Sequence, residues 1–141
     1  EEASLRAAVA GGSLGAAVQL ASEDYRATRE ALVGLLERVD GLDALGRMEA
    51  AEALEETDDA ALLLTTLRSL LRDVAALRAG APASTLVNVD LAERLRPLGE
   101  SPLGARALRL AEDAAHARSA LRGFASRLLT FDVLVDALAR D

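Results

Sequence analysis

The stretch from Leu62 to Gly80, LLLTTLRSLLRDVAALRAG, constrains the fold more than any other part of this chain. At 100° per residue, Leu63, Leu64, Leu67, Leu70, Leu71, Val74, Ala75 and Leu77 fill one continuous apolar half of a helix. Thr65, Thr66, Ser69, Arg72 and Asp73 fall on the opposite arc, with Arg68 at the border. That apolar half is wider than a two-helix seam requires, so the helix is expected to pack against several neighbours. The expected fold is all-α, a helical bundle with this segment as its spine.

The rest of the chain supports helices and little else. Alanine and leucine dominate, both strong helix formers, and no strand-like alternation or internal repeat stands out. A chain of 141 residues makes one domain, able to bury about two-thirds of its unfolded surface. Cysteine is absent, which removes disulfides, thiolate metal sites and cysteine nucleophiles. All 16 cationic side chains are arginine, spread among 23 acids. The net charge of −7 and the lack of a basic stripe argue against direct nucleic-acid binding. No apolar run approaches the roughly 20 residues that span a bilayer, and no signal peptide opens the chain. The expectation is a soluble, cytoplasmic protein. Glu1-Glu2-Ala3 has no initiator, and Met48 is the sole methionine, so the chain reads as a piece of a longer protein.

Local signals divide the chain further. Two short helices, 2–10 and 14–21, flank Gly11-Gly12, with Ser13 capping the second. A helix over 23–39, capped by Ser22, should turn Ala31, Leu32, Leu35, Leu36 and Val39 inward and stop at Gly41. A helix over 42–55 should point Leu45, Met48 and Leu54 to the core. Thr57 is the expected cap of the spine, with Asp58 and Asp59 opposing its dipole by about 0.3–1 kcal/mol each. Asn88 or Asp90 should cap a short helix ending near Pro97-Leu98-Gly99. Ser101-Pro102 is a strong start signal. After it, Leu103, Ala107, Leu110, Ala114, Ala117, Leu121, Phe124 and Leu128 recur at heptad spacing. Gly123 and Ser126 are expected to break that run before a last helix over 127–140, with Phe131, Leu134, Val135 and Leu138 inward.

Three segments, in order, resemble the C-terminal half of bacterial DNA polymerase III clamp-loader subunits, most closely the delta-prime family. Val9-Ala10-Gly11-Gly12-Ser13-Leu14-Gly15-Ala16-Ala17 resembles the Gly-Ser-x-Gly-x-Ala signature that ends an AAA+ lid. Leu70-Leu71-Arg72-Asp73-Val74 with Leu77-Arg78-Ala79-Gly80 resembles the Leu-Leu-Arg-Asp helix of the collar domain, and Leu86-Val87-Asn88-Val89-Asp90 the Asn-x-Asp link after it. The last helix, Leu129 to Leu138 with Asp132, is similar to the family's closing pattern. The resemblance implies a lid end over residues 1–21, marked by Gly12, Ser13, Gly15 and Ala16, and a collar domain over 22–141. It implies no catalytic residue and no cofactor. The implied partners are gamma/tau and delta subunits in a hetero-oligomeric ring that loads the sliding clamp onto primed DNA during replication. Subunits that use ATP carry a sensor arginine near the Gly-Ser pair; Gly15, Ala16 and Ala17 stand there instead, which favours delta-prime over gamma/tau.

Each candidate site also has a plainer reading. Gly12-Ser13 ends one helix and caps the next, with no phosphate loop to make a nucleotide site. Arg72-Asp73 is an intersubunit contact or a solvated pair contributing about 0–1 kcal/mol, the two readings evenly balanced. Arg68, Asn88 and Asp90 complete the candidate interface set. Glu112, Asp113 and His116 share a helical turn, but without a second histidine or cysteine they read as a solvated face with a Glu112–His116 contact. The seam from Leu103 to Leu128 reads as the domain's own core in preference to a subunit contact. The main alternative functions are the equivalent gamma/tau domain and an unrelated helical adaptor or ligand-binding bundle.

Overall fold

The computed structural model describes residues 23–140, and these form six α-helices and no strand. The expected lid segment, with Gly12, Ser13, Gly15 and Ala16, lies outside the described residues. The helices are α1 (Glu23–Arg38), α2 (Ala44–Glu55), α3 (Ala60–Arg78), α4 (Ala92–Glu100), α5 (Pro102–Arg122) and α6 (Arg127–Ala139). Short 3₁₀ turns follow α1 and punctuate the connection between α3 and α4. The all-α bundle expected from the sequence is the fold.

The spine, α3, packs most extensively on α5 and also on α4 and α1. Leu67, Leu70, Leu71 and Val74 are fully buried in that contact. Across from them Leu103, Ala107, Leu110 and Ala114 are equally buried, so the seam on α5 is the domain's own core over this range. Alanine at alternate layers lets the two backbones come close. Two glycines extend the same logic to α4. A Cβ on Gly99 would stand 3.2 Å from the Arg78 nitrogen of α3. One on Gly104 would stand 2.2 Å from the Gly99 oxygen, closer than any side chain tolerates. The α4–α5 corner is therefore built on two positions with no side chain.

Helix ends corrected several expectations. Asp59, not Thr57, caps α3, its carboxylate accepting from Leu62 N at 2.9 Å, because the helix begins at Ala60 and Thr57 stands two residues ahead of the cap position. Asp43 caps α2 in the same way, accepting from Gly46 N at 2.7 Å. Neither Asn88 nor Asp90 caps α4: their side chains are engaged elsewhere, and the helix starts from a 3₁₀ turn. Helix α4 also runs through Pro97 to Glu100. Ser101 stands at the start of α5, but its hydroxyl donates to Leu98 O at 2.7 Å and so binds the end of α4. Ser126, expected only to break the preceding run, caps α6, its hydroxyl oxygen accepting from Leu129 N at 3.3 Å.

Five residues expected to face inward are exposed. Leu45 and Met48 are exposed, and Ala50, Ala51 and Leu54 face the core. Leu45 precedes Leu54 by nine residues, which puts it about 180° around the helix. Ala31 is exposed, while its neighbours Leu32, Leu35, Leu36 and Val39 are buried as expected. The seam on α5 ends at Leu121, because the chain leaves the helix after Arg122, and Phe124 and Leu128 are exposed. Helix α6 buries Phe131, Leu134, Val135 and Leu138 against α5 and α2, as expected. Arg106 of α5 holds its end, donating to Ala137 O at 2.8 Å and Leu138 O at 3.2 Å.

Candidate assembly surface

Asp73 and Thr66 depart most from the expected wheel. Both are buried, Asp73 at 4% exposure and Thr66 at 1%. At 100° per residue they lie only about 60° and 40° from Leu70, on the margin of the apolar half. Thr66 satisfies its hydroxyl locally by donating to Leu62 O at 2.8 Å. Asp73 instead serves the connection that follows α3. Its two carboxylate oxygens accept from Val87 N at 3.1 Å, Asn88 N at 2.7 Å and Asn88 Nδ2 at 2.8 Å. Asn88, fully buried, also donates to Ser69 Oγ at 3.0 Å. A buried carboxylate survives only when its lone pairs are occupied, and here backbone and amide donors occupy them.

This stitch extends to α1. Arg29 donates to Asn88 Oδ1 at 3.5 Å and grips Asp90 with both terminal nitrogens, the Nη1 to Oδ1 distance being 3.0 Å. Its guanidinium lies 5.8 Å from the centre of the Tyr25 ring. Burial raises the Tyr25 hydroxyl above its ordinary pKa, partly opposed by the Arg29 charge and reinforced by that of Asp90. Nearby, Arg94 of α4 binds Glu37 and Glu30 of α1. Those two carboxylates, Glu37 foremost, raise Arg94 further above its already high value.

Of the five candidate interface residues, the structure thus joins Asp73 to Asn88 directly and Asp90 through Arg29. Arg68 and Arg72 stay on the exposed side of α3. The Arg72–Asp73 reading is corrected accordingly: adjacent helical residues project about 100° apart, and the Asp73 carboxylate faces the connection after α3. Asp73 is held inside the fold, and of that pair only Arg72 is exposed. Arg29, some 60 positions from Asn88 in sequence, was missed because no local pattern announces so distant a pairing.

No nucleophile–base pair is assembled around this stitch, and among the described residues no group of three or more histidine, cysteine, aspartate or glutamate side chains is placed to hold a metal. Glu112, Asp113 and His116 follow α5 along its outer side. Asp113 and His116 line an apolar groove between α5 and α6, about 390 Å³ in volume, with Ala117, Ala120, Leu129 and Val133. A second groove of about 320 Å³ runs between α2 and α6 beneath Met48 and Val133, with Asp132 and Asp136 on its wall. Val133 belongs to both, so α6 presents a ridge of Leu129 and Val133, each 63% exposed, with a trench on either side.

At the end of that ridge, α5 closes with two bonds, Phe124 N to Leu121 O and Ala125 N to Ala120 O. This is the Schellman pattern, which needs a left-handed residue at the position of Phe124. Phe124 supplies it with φ 66°, although Gly123 stands one place earlier. A side chain there costs about 1–2 kcal/mol of backbone strain, and the ring gains nothing in return inside the chain, since it is 97% exposed. Comparison with protein-family models, with curated protein sequences and with solved structures returns no match.

Proposed function

We propose that this chain is the assembly domain of a bacterial clamp-loader subunit, of the delta-prime kind, a non-catalytic collar that holds partner subunits while the sliding clamp is placed on primed DNA. The observation that carries the reading is the meeting of the two collar-like motifs. Asp73 of the Leu-Leu-Arg-Asp segment accepts three bonds from the Leu86–Asp90 link, so the resembling segments act as one structural unit. Apolar helical surface left bare on α2 and α6 is in keeping with a domain that packs against other helices. The proposed partners are the gamma/tau and delta collar domains, in the cytoplasm, with no nucleic acid held by this domain itself.

The test is assembly. Mixed with gamma/tau and delta collar domains, the chain is expected to form a hetero-oligomer whose mass is read by light scattering; no mixed species at any ratio overturns the proposal. A phosphate-binding lysine loop in the coding sequence upstream would move the assignment to gamma/tau. A second reading, an unrelated helical adaptor or ligand-binding bundle, is favoured by the apolar groove between α5 and α6.

A further inference from the structure

Helix α2 is the most lightly held element of the bundle. It buries Ala50, Ala51 and Leu54, so one large side chain serves a helix of 12 residues. Helix α6, with 13 residues, buries Phe131, Leu134, Val135 and Leu138. Buried apolar area is what offsets the entropy lost in ordering a segment, and α2 has little of it. Its packing is also one-sided. Among the described residues α2 makes extensive contact with α6 alone, whereas α6 packs on α5 as well. Even that seam is incompletely filled, leaving the 320 Å³ groove beneath Met48. On the outer side Glu52 and Glu56 stand one turn apart with no ion-pair partner among the described residues, a like-charge pair that disfavours the helix.

Polar fasteners hold the two ends. Arg127 of α6 donates through Nη2 to Glu55 O at 2.8 Å and Thr57 O at 2.6 Å, gripping the last turn of α2. Nearer the first turn, Arg47 Nε lies 3.5 Å from Asp136 across the seam, a part-exposed pair of the kind that contributes little. The chain on either side is anchored independently: Val39 is fully buried before α2, and Asp59 caps α3 after it. The segment between them can therefore leave α6 without unfolding the helices that flank it.

We propose that α2 is a strap, which lifts from α6 while α1, α3, α4 and α5 stay folded and so enlarges the apolar face that α6 presents. Asp132 and Asp136 line the seam with α2, and Val135 stands only 60° from Asp132 around the helix. Lifting the strap thus uncovers Val135, in line with Leu128, which is exposed already. The chain has no cysteine, so a single introduced thiol reports opening cleanly. Ala51→Cys and Ala114→Cys each replace a fully buried alanine, one on α2 and one on α5. Under native conditions a small aromatic disulfide is expected to label the thiol at position 51 at least tenfold faster than that at 114. Adding Arg127→Ala should speed labelling at 51 a further several-fold and leave 114 unchanged. Adding Arg78→Ala, which removes a bond to Gly99 O elsewhere in the bundle, should leave position 51 unchanged. Equal rates at 51 and 114 mean that α2 opens only with the whole domain and overturn the proposal, as does an Arg127→Ala effect felt equally at both. Amide exchange of the parent chain tests the same point without substitution: the slowest amides of α2 should exchange at least tenfold faster than those of α3 and α5, and equal protection overturns it. All of this is measured on the chain alone, so the strap and the clamp-loader reading fail separately.

Discussion

Helices α3 and α5 lie side by side through the core and end in the same hydrogen-bonded motif, yet they end differently. After α3, Gly80 takes the left-handed position at φ 86°, with Gly80 N bonded to Leu77 O and Ala81 N to Ala76 O. The chain then folds back and is stitched to Asp73 and Arg29. After α5, Phe124 takes that position, and the chain turns outward into solvent. One end is chemically ordinary and sealed by its own chain. The other carries strain and bare apolar surface. The strain at Phe124 is not offset by burial of its ring.

Substitutions divide along that line. The largest effect is expected at Leu71, fully buried on α3: Leu71→Asp sets a charge in the core, costs several kcal/mol and unfolds the domain. A variant with an unchanged melting temperature would refute the helical phase. Asp73→Ala leaves Val87 N and Asn88 N without their acceptor and the Asn88 amide with Ser69 Oγ alone. About 2–3 kcal/mol should be lost in denaturant unfolding, with faster amide exchange at Val87 and Asn88. Gly80→Ala puts a Cβ into open space but at a left-handed φ, and should cost about 1 kcal/mol. Phe124→Gly should move the opposite way, stabilising the fold by roughly 0.5–1 kcal/mol in thermal unfolding. A Phe124→Gly chain less stable than its parent would show that the ring serves the fold after all.

Much of this architecture was legible in the sequence because the signals are local. The face of α6, the faces of α1 and α3 apart from Ala31, Thr66 and Asp73, the helix starts after Ser101 and Ser126, and the alanine seam all follow from spacing within one helix. Helix α2 misled because Leu45 and Met48 are long apolar residues while Ala50 and Ala51, which make the contact, are short. The inward turn of Asp73 was hidden because its partners belong to a segment that folds back from fourteen residues away. The docking of Arg29 on Asn88 and Asp90 had no sequence signal at all. Phe124 and Leu128 looked like two more steps of a heptad, and only the change of backbone at φ 66° takes them out of it.

The distances that these links span along the chain also set an order of events in folding. Asp73 reaches Asn88 across 15 residues, whereas Arg127 reaches Glu55 across 72. Short rings close at little entropic cost and long ones at more, so the segment after α3 can be knitted while α2 and α6 are still searching for each other. On loop length alone, the pairing of α2 with α6 is expected to follow the knitting of the segment after α3.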